Sequence, residues 1–201
     1  EDAPLLHDSV KAIALMPGTG EYALATTPVT YRKSIGQAVS ANVNTPAGVP
    51  DMKMSMEALN GELPQCESVS LILSWFGDDL RAGHCRVKPK VEQTSVDGVE
   101  MPWSVAGLSR GQADTIAQID GRPVYGGTPT DQSVIQAIKA IHGAGKSVLL
   151  YPFLLMEQLP QNGRPDPYTG APDQPAFPWR GRITGEIGLG RAGTTDQTAA
   201  N

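Results

Sequence analysis

Three acidic residues follow the two most apolar segments of this sequence, and they are its first candidates for chemistry. Asp78 and Asp79 come directly after the run SVSLILSWFG at 68–77, and Glu157 follows the run KSVLLYPFLLM at 146–156. A carboxyl group desolvated by apolar neighbours acts as a general acid when its pKa is raised, and an ionised one acts as a base or nucleophile. A carboxylate also binds sugar hydroxyls. We therefore expect these three residues at a catalytic or carbohydrate-binding site.

The same acidic residues have structural interpretations. Aspartate after a strand forms turns and helix caps, and Arg81 is close enough in sequence to pair with Asp78 or Asp79. Glu157 can instead begin a short helix. Because ion-pair networks also perturb carboxyl pKa values, both interpretations stay open at this point.

Four aromatic residues are candidates for carbohydrate binding, because the faces of sugars pack against aromatic rings: Trp75, Tyr125, Tyr151 and Trp179. The chain has three tryptophans and three phenylalanines, and such scarce rings are often needed as core anchors. A core role is therefore the alternative for each of them.

The sequence predicts no metal and no cofactor. Its three histidines are scattered and lack metal-ligand spacing. The string GGT at 126–128 lacks both the dinucleotide and the P-loop signatures, and no GxSxG serine elbow is present.

Composition excludes several other classes. A net charge of -5 argues against a nucleic-acid partner, because such affinity depends on Lys and Arg that neutralise phosphates. No apolar run approaches the roughly 18 residues of a membrane span. Cys66 and Cys85 lack CxxC spacing, so they are either bridged or, as we favour, free thiols.

The apolar segments also predict the fold. A strand that is apolar at nearly every position is covered on both faces, which is typical of a parallel sheet with packed helices. We expect 69–76 and 147–154 to lie side by side in the same direction, with their polar ends at one edge. Residues 124–154 have the length of a strand-helix-strand crossover whose helix covers 131–141.

Weaker patterns predict the remaining elements. We expect a short strand at 9–17 and a helix at 56–63 that Ser55 caps. The segment 87–94 is expected to form a hairpin with the residues after the Asp97-Gly98 turn. The Pro- and Gly-rich stretch after Glu157 is either a functional excursion over the carboxyl edge of the sheet or the place where further elements would follow.

Several unusual strings, taken together and in this order, resemble one known domain. They are SANVNTPAGVPD, SVSLILSWFGDDLRAGHCRVKPKVE, MPWSVAGL, GRPVYGGTPTDQSVIQAI, YPFLLM, NGRPDPY and QPAFPWRGRIT. The chain resembles the TIM-barrel-like domain of the tail hub (tip) protein of gene transfer agents and related siphophages.

This resemblance implies a fold and a location. The fold would be α/β, a TIM-barrel-like, glycoside-hydrolase-like parallel barrel. Residues 51–201 would be the first part of that barrel, preceded by an N-terminal β and linker segment at 1–50. The protein would be a structural component of a phage-like tail tip or baseplate hub in the particle. It would act in host attachment or envelope penetration, contact other tail proteins and form a homotrimer around the tail axis.

An enzymatic alternative follows from the same resemblance. Barrels of this kind include glycoside hydrolases, which use two carboxylates on either side of the scissile bond. The family's later strands end in acidic strings of the GSEL type, and residues 1–201 contain no such string. A glycoside hydrolase or carbohydrate-binding barrel that acts on host surface polysaccharide is therefore the second hypothesis, without a complete catalytic pair.

Overall fold

A computed structural model describes residues 5–16, 18, 20–34, 36–178 and 183–194. Its α-helices are α1 Leu6–Ser9, α2 Asp51–Glu62 and α3 Asp131–Gly143. Its strands are β1 Ala12–Leu15, β2 Thr30–Ser34, β3 Gln37–Ser40, β4 Ser68–Gly77, β5 Lys90–Val91, β6 Ser104–Val105, β7 Leu108–Ser109, β8 Asp114–Thr115, β9 Gln118–Ile119, β10 Arg122–Pro123 and β11 Ser147–Met156. A single 3₁₀ turn is described at Arg110–Gln112.

A parallel three-stranded sheet in the order β1-β4-β11 forms the centre of the fold. β4 and β11 pair over their whole length, from Ser68 opposite Ser147 to Gly77 opposite Met156. The prediction that the two apolar segments run side by side in one direction is confirmed. The described residues form an α/β unit with this open sheet, and they close no barrel.

Helices α2 and α3 cover one face of the sheet. Met52, Met56 and Leu59 recur along α2 at helical spacing, and all three are buried. They pack with Val69, Leu71, Ala137, Ile141 and their neighbours in a purely apolar cluster, which we call the first core. Leu15 from β1 belongs to it, so strands from both sides of the predicted boundary at residue 50 share one core.

The opposite face of the sheet is covered by loops. Ile72 and Ser74 of β4 and Phe153 and Leu155 of β11 line a cavity there. Towards the start of β11 this face is open, because Leu149 is 61% exposed. The predicted cover of both faces is therefore only partial, since the second side is covered by polar loops with their own hydrogen bonds and not by helices of the described residues.

A second core is built almost entirely from loops and two-residue strands. It contains Tyr22, Ala25, Val29, Val91, Met101, Trp103 and Val105, all buried. The indole Nε1 of Trp103 donates to the carbonyl oxygen of Thr128 at 2.8 Å, which fixes the loop before α3 to this core.

Two predicted boundaries are wrong. Helix α2 begins at Asp51, five residues before the predicted start at 56, and its N-cap residue is Pro50 instead of Ser55. Asp51 accepts hydrogen bonds from Asn44 and stands in the first helical turn, where a negative charge is favourable. The strand that precedes α3 in the sheet is β4, because residues near 124 form only the two-residue β10, paired antiparallel with β9.

The predicted hairpin at 87–94 is also wrong. Lys90 and Val91 pair in parallel with Asp114 and Thr115. The reason is tertiary, since the carboxylate of Asp97 is held by other partners instead of closing a tight turn. The helix expected at 131–141 is confirmed as α3, and the strand expected at 9–17 is confirmed as β1.

The two cysteines are free thiols, with Cys66 buried and Cys85 half-buried. No helix in the described ranges combines the length and apolarity needed to cross a bilayer.

Candidate functional site

The carboxyl edge of the sheet carries a row of ion pairs. Asp79 follows β4 and pairs with Arg81, and Glu157 follows β11 and pairs with Lys90. Glu21, in the loop after β1, pairs with Arg110. The predicted position of acidic residues at this edge is thus correct, and a basic side chain neutralises each of these three.

Asp79 is the most thoroughly engaged of the predicted site residues. Its carboxylate accepts hydrogen bonds from the Arg81 guanidinium at 2.8 and 3.0 Å and from the Gln174 amide at 2.8 Å. Burial acts to raise the pKa of Asp79, but the hydrogen bonds from Arg81 and Gln174 outweigh it and lower the pKa to about 2. The expectation of a raised-pKa acid is therefore wrong for Asp79, which is an ionised structural group.

Asp78 is held on the other side of the same loop. It accepts the backbone N–H of Arg86 at 2.7 Å, and its second oxygen lies 3.3 Å from Nε of Arg86. Arg164 approaches the same oxygen at 3.7 Å. Two guanidinium groups thus neutralise Asp78.

Glu157 closes the row at the end of β11. Its carboxylate is buried, forms an ion pair with Lys90 and accepts the backbone N–H of Ala117 at 2.9 Å. No helix begins at this residue. The structure therefore places the three predicted carboxylates at one edge but gives each its own partners rather than a shared open site.

The excursion after Glu157 packs over the end of β4. Thr184 and Arg81 form an isolated parallel β-bridge. In this bridge the N–H of Ala82 donates to the carbonyl oxygen of Thr184 at 2.7 Å, and the N–H of Thr184 donates to the carbonyl oxygen of Leu80 at 2.8 Å. The Gln174 side chain also accepts the N–H of Leu80 at 2.9 Å. The predicted position of this segment over the carboxyl edge is confirmed for its described residues.

A concave site lies on the loop-covered face of the sheet. This cavity of about 530 Å³ has a size typical of ligand pockets. Ile72, Ser74, Phe153 and Leu155 form its floor, and the loops at 16–24 and 123–129 form its walls. Of the predicted carbohydrate-binding residues that the structure describes, Tyr125 alone lines it.

Glu92 is the acidic residue of the cavity wall, and sequence analysis missed it. Its Oε1 accepts the N–H of Gly127 at 3.0 Å, while its own N–H donates to Glu21 at 2.8 Å. Burial raises the pKa of Glu92, the backbone amide of Gly127 opposes the shift, and the charge of Glu21 adds to it. A half-buried carboxyl with a raised pKa in the wall of a cavity of this size is a candidate functional group.

No local sequence signal marks Glu92. It follows the two-residue strand β5 inside a stretch of mixed charge, outside any apolar run. Only the parallel pairing of β5 with β8 and the return of the 123–129 loop bring it beside the sheet.

The aromatic rings do not form one platform. Tyr125 contacts Phe76, with ring centroids 6.3 Å apart, and meets Phe177 edge-on at 6.0 Å. Phe177 has φ of 46°, a strained conformation for a bulky residue, which indicates that its ring position is imposed by the surrounding fold. Tyr125 and Phe177 also line a smaller cavity that adjoins the main one through Phe153.

The other predicted aromatic residues lie elsewhere. Trp75 packs against the second core, on the side of β4 away from the cavity. Tyr151 is 41% exposed and contacts Phe153 edge-on at 6.1 Å. Trp179 lies outside the described residues.

Neither a metal centre nor a known relative identifies the site. Within the described ranges no cluster of three or more His, Cys, Asp or Glu side chains is arranged to hold a metal ion. Comparison with protein-family models and with curated proteins finds no match. Proposals about function therefore depend on the chain's own strings and geometry.

Proposed function

We propose that the chain is a structural component of a phage-like tail tip or baseplate hub, involved in host attachment or envelope penetration. In this proposal its open parallel sheet is the leading part of a TIM-barrel-like domain. The domain contacts other tail proteins and forms a homotrimer around the tail axis. The support comes from the strings that resemble tail hub domains, together with one feature of the fold.

That feature is the contact between two of these strings, which are far apart in the sequence but adjacent in the fold. Asp79 and Arg81 belong to the string GDDLRAG, whereas Gln174 and Thr184 belong to QPAFPWRGRIT. These residues join through the Asp79–Gln174 hydrogen bond and the Arg81–Thr184 bridge. The distinctive strings therefore build one interlocked loop assembly, which favours a structural role for the acidic residues within it.

The proposal is tested by locating the protein in particles. An epitope tag on the protein in the strain that produces it should place antibody label at the tail tip in electron micrographs, with untagged particles as the control. Label along the tail tube, on the head or only on free protein would contradict the proposal. Chemical cross-linking of purified particles should yield a trimeric species of this protein.

The structural role is tested by Gln174→Ala, which removes the amide that links Asp79 to the excursion. We expect fewer assembled tails from this variant, because the loop assembly loses hydrogen bonds to both Asp79 and Leu80. Gln132→Ala is the matched control, because this residue is exposed on α3. Normal tail yield from Gln174→Ala would count against the structural role.

Carbohydrate binding is the second candidate function, and the cavity beside Tyr125 favours it. Hydrolysis requires two carboxyl groups about 5–9.5 Å apart across the scissile bond. Asp78, Asp79 and Glu157 are each committed to basic partners, so the geometry supports binding over turnover. A glycan array probed with the purified protein tests this function, and reducing-end release from any bound polysaccharide would instead support a hydrolase.

A further inference from the structure

Glu92 differs from the neighbouring acidic residues because the described part of the chain gives it no cationic partner. Glu21, Asp79 and Glu157 each form an ion pair. The described contacts of the Glu92 carboxylate are limited to the backbone N–H of Gly127. A half-buried carboxylate without a counter-ion is costly, so this position favours a positive group from outside the chain.

Arg110, whose positive charge acts on Glu92, has no N–H donor left to bind the Glu92 carboxylate. Its Nε donates to Asp97 at 2.9 Å, and its Nη1 donates to Glu21 at 3.1 Å and to the carbonyl of Gln93 at 2.8 Å. Its Nη2 donates to Glu21 and to the hydroxyl of Tyr22 at 3.1 Å. These five bonds use the five N–H donors of a guanidinium.

The charge balance of this region is therefore negative. Glu21, Asp97 and Glu92 are three acidic groups around the single cation Arg110. Lys90, two residues before Glu92, is directed to Glu157 instead. Among the described residues, the wall of the cavity that Glu92 faces thus has a carboxylate and no basic side chain.

The rest of the cavity wall suits the body of an organic cation. Tyr125 and Phe153 supply aromatic rings, which attract cations through their faces. Ile72, Val124 and Leu155 supply apolar surface. The backbone at Gly20 also leaves room for the carboxylate, because a Cβ at this position would lie only 3.0 Å from Oε1 of Glu92.

We propose that this cavity binds a small organic ligand through a primary ammonium group, with the Glu92 carboxylate as its counter-ion and the rings of Tyr125 and Phe153 against its body. The assignment is independent of the location in a tail. It rests on the cavity proposed above for carbohydrate binding and narrows its ligand to an amine. An amino sugar and a lysine side chain are the two sources of such a group.

Titration calorimetry of the whole chain at pH 7 with three probes tests the proposal. Glucosamine represents an amino sugar, Nα-acetyl-lysine methylamide represents a protein lysine, and glucose is the neutral match of the first. We expect one of the two amines to bind at least about tenfold more tightly than glucose, the scale of a partly desolvated charge pair. The preferred amine identifies the source.

Glu92→Gln is the decisive variant, since it keeps the size and the acceptor for Gly127 but removes the charge. It should lose about tenfold in affinity for the preferred amine and leave glucose unchanged. Glu67→Gln is the control, because this glutamate is exposed and lies before the amino end of β4. Unchanged amine affinity in Glu92→Gln would overturn the proposal.

The probe series also separates this inference from carbohydrate binding. If glucose bound and neither amine bound more tightly than glucose, the ammonium assignment would be wrong and a sugar site would remain. Binding of none of the three probes would overturn the ammonium site itself.

A pH series on the unmodified protein keeps the proposal testable if Glu92→Gln fails to fold. Amine affinity should fall as pH is lowered from 7 through the pKa of Glu92, because the protonated carboxyl has no charge. The other groups that face Glu92 are Glu21, Arg110, Tyr31 and Tyr125. Arg110 stays charged and the tyrosines stay neutral over this range, because the pKa values of Arg110, Tyr31 and Tyr125 are all raised. An affinity that does not change with pH would contradict the proposal.

Discussion

The two cores of this protein are held together by different forces. The first core joins the sheet to α2 and α3 through apolar side chains alone, such as Leu71 and Ile141. The second core surrounds the ion pair of Arg110 with Glu21 and the hydroxyl of Tyr22. An apolar core tolerates changes of shape, whereas a core with buried charges fails when one charge loses its partner.

Close backbone contacts sharpen this difference. A Cβ on Gly98 would stand 2.7 Å from the carbonyl oxygen of Met101, and one on Gly127 would stand 2.5 Å from Cγ of Glu21. Such contacts require glycine in the loops that enclose the second core. The first core has instead regular elements whose side chains set the spacing.

The largest effect is expected from Arg110→Met, which leaves Glu21 and Asp97 without their guanidinium. The free energy of unfolding should fall by about 3–5 kcal/mol, as in other broken buried ion pairs. Urea denaturation at pH 7 measures it, with the exposed Arg122→Met as control. A loss below about 1 kcal/mol would show that the second core does not depend on its charges.

Leu71→Ala tests the first core at a fully buried position. The cavity it creates should cost about 2–5 kcal/mol, with about 3 expected, because helices on that face relax only partly. Leu149→Ala is the control on the open face. If the two substitutions have equal effects on urea midpoints, the two faces do not differ as described.

Gly127→Ala tests the tight contact at the border of the second core. The new methyl group would collide with Glu21, which Arg110 holds in place, so we expect a loss of up to about 3 kcal/mol. Gly61→Ala in α2 has open space around it and should stabilise the protein by up to about 1 kcal/mol. Thermal unfolding of both variants measures whether one loses and the other gains stability, and changes of stability in the same direction would contradict this account.

Asp79, at the carboxyl end of β4, should make the free energy of unfolding depend on pH in the acid range. The pKa of Asp79 is about 2 in the folded chain, below the ordinary value of 3.8. Its ionised form therefore stabilises the fold by about 2 kcal/mol above pH 4, and this contribution is lost as the pH falls through about 2. Asp79→Asn should flatten the stability profile between pH 4 and pH 2, and an unchanged slope would contradict the prediction.

The smallest effect is expected at the exposed ion pair of Lys88 with Asp114. The two charges are 2.8 Å apart, but both side chains are about half exposed. Lys88→Ala should cost less than about 1 kcal/mol because water screens the pair. A loss as large as that of Arg110→Met would erase the distinction between buried and exposed ion pairs.

The regular part of the fold was predictable because its signals are local. The runs at 68–77 and 147–156 are apolar at both parities, and that pattern suits a strand in a parallel sheet. Residues 131–143 repeat apolar side chains at helical spacing between Thr130 and Gly145. Strand direction, pairing and the position of Asp78, Asp79 and Glu157 at one edge followed from these patterns.

Two identical dipeptides show why the loops were harder to predict. Asp120-Gly121 has positive φ at both residues and joins β9 to β10 as a tight hairpin. Asp97-Gly98, for which the hairpin was predicted, has neither. The carboxylate of Asp97 is drawn to Arg110, Tyr22 and the N–H of Trp103, and no local rule of turn chemistry contains those distant partners.

The candidate site, like the fold, was predictable from the sequence only in part. The sequence by itself determined a parallel α/β sheet with acidic residues where its strands end, because strand periodicity and polarity are properties of neighbouring residues. The pairing of Asp79 with Arg81 was open to sequence analysis, because the two residues are neighbours in the loop after β4. Only the tertiary structure decided that Glu157 and Glu21 are neutralised, since Lys90 and Arg110 reach them from distant parts of the chain. For the same reason only the folded chain placed Glu92 in the wall of the main cavity without a cationic partner among the described residues, because burial and charge balance depend on residues that are far apart in the sequence.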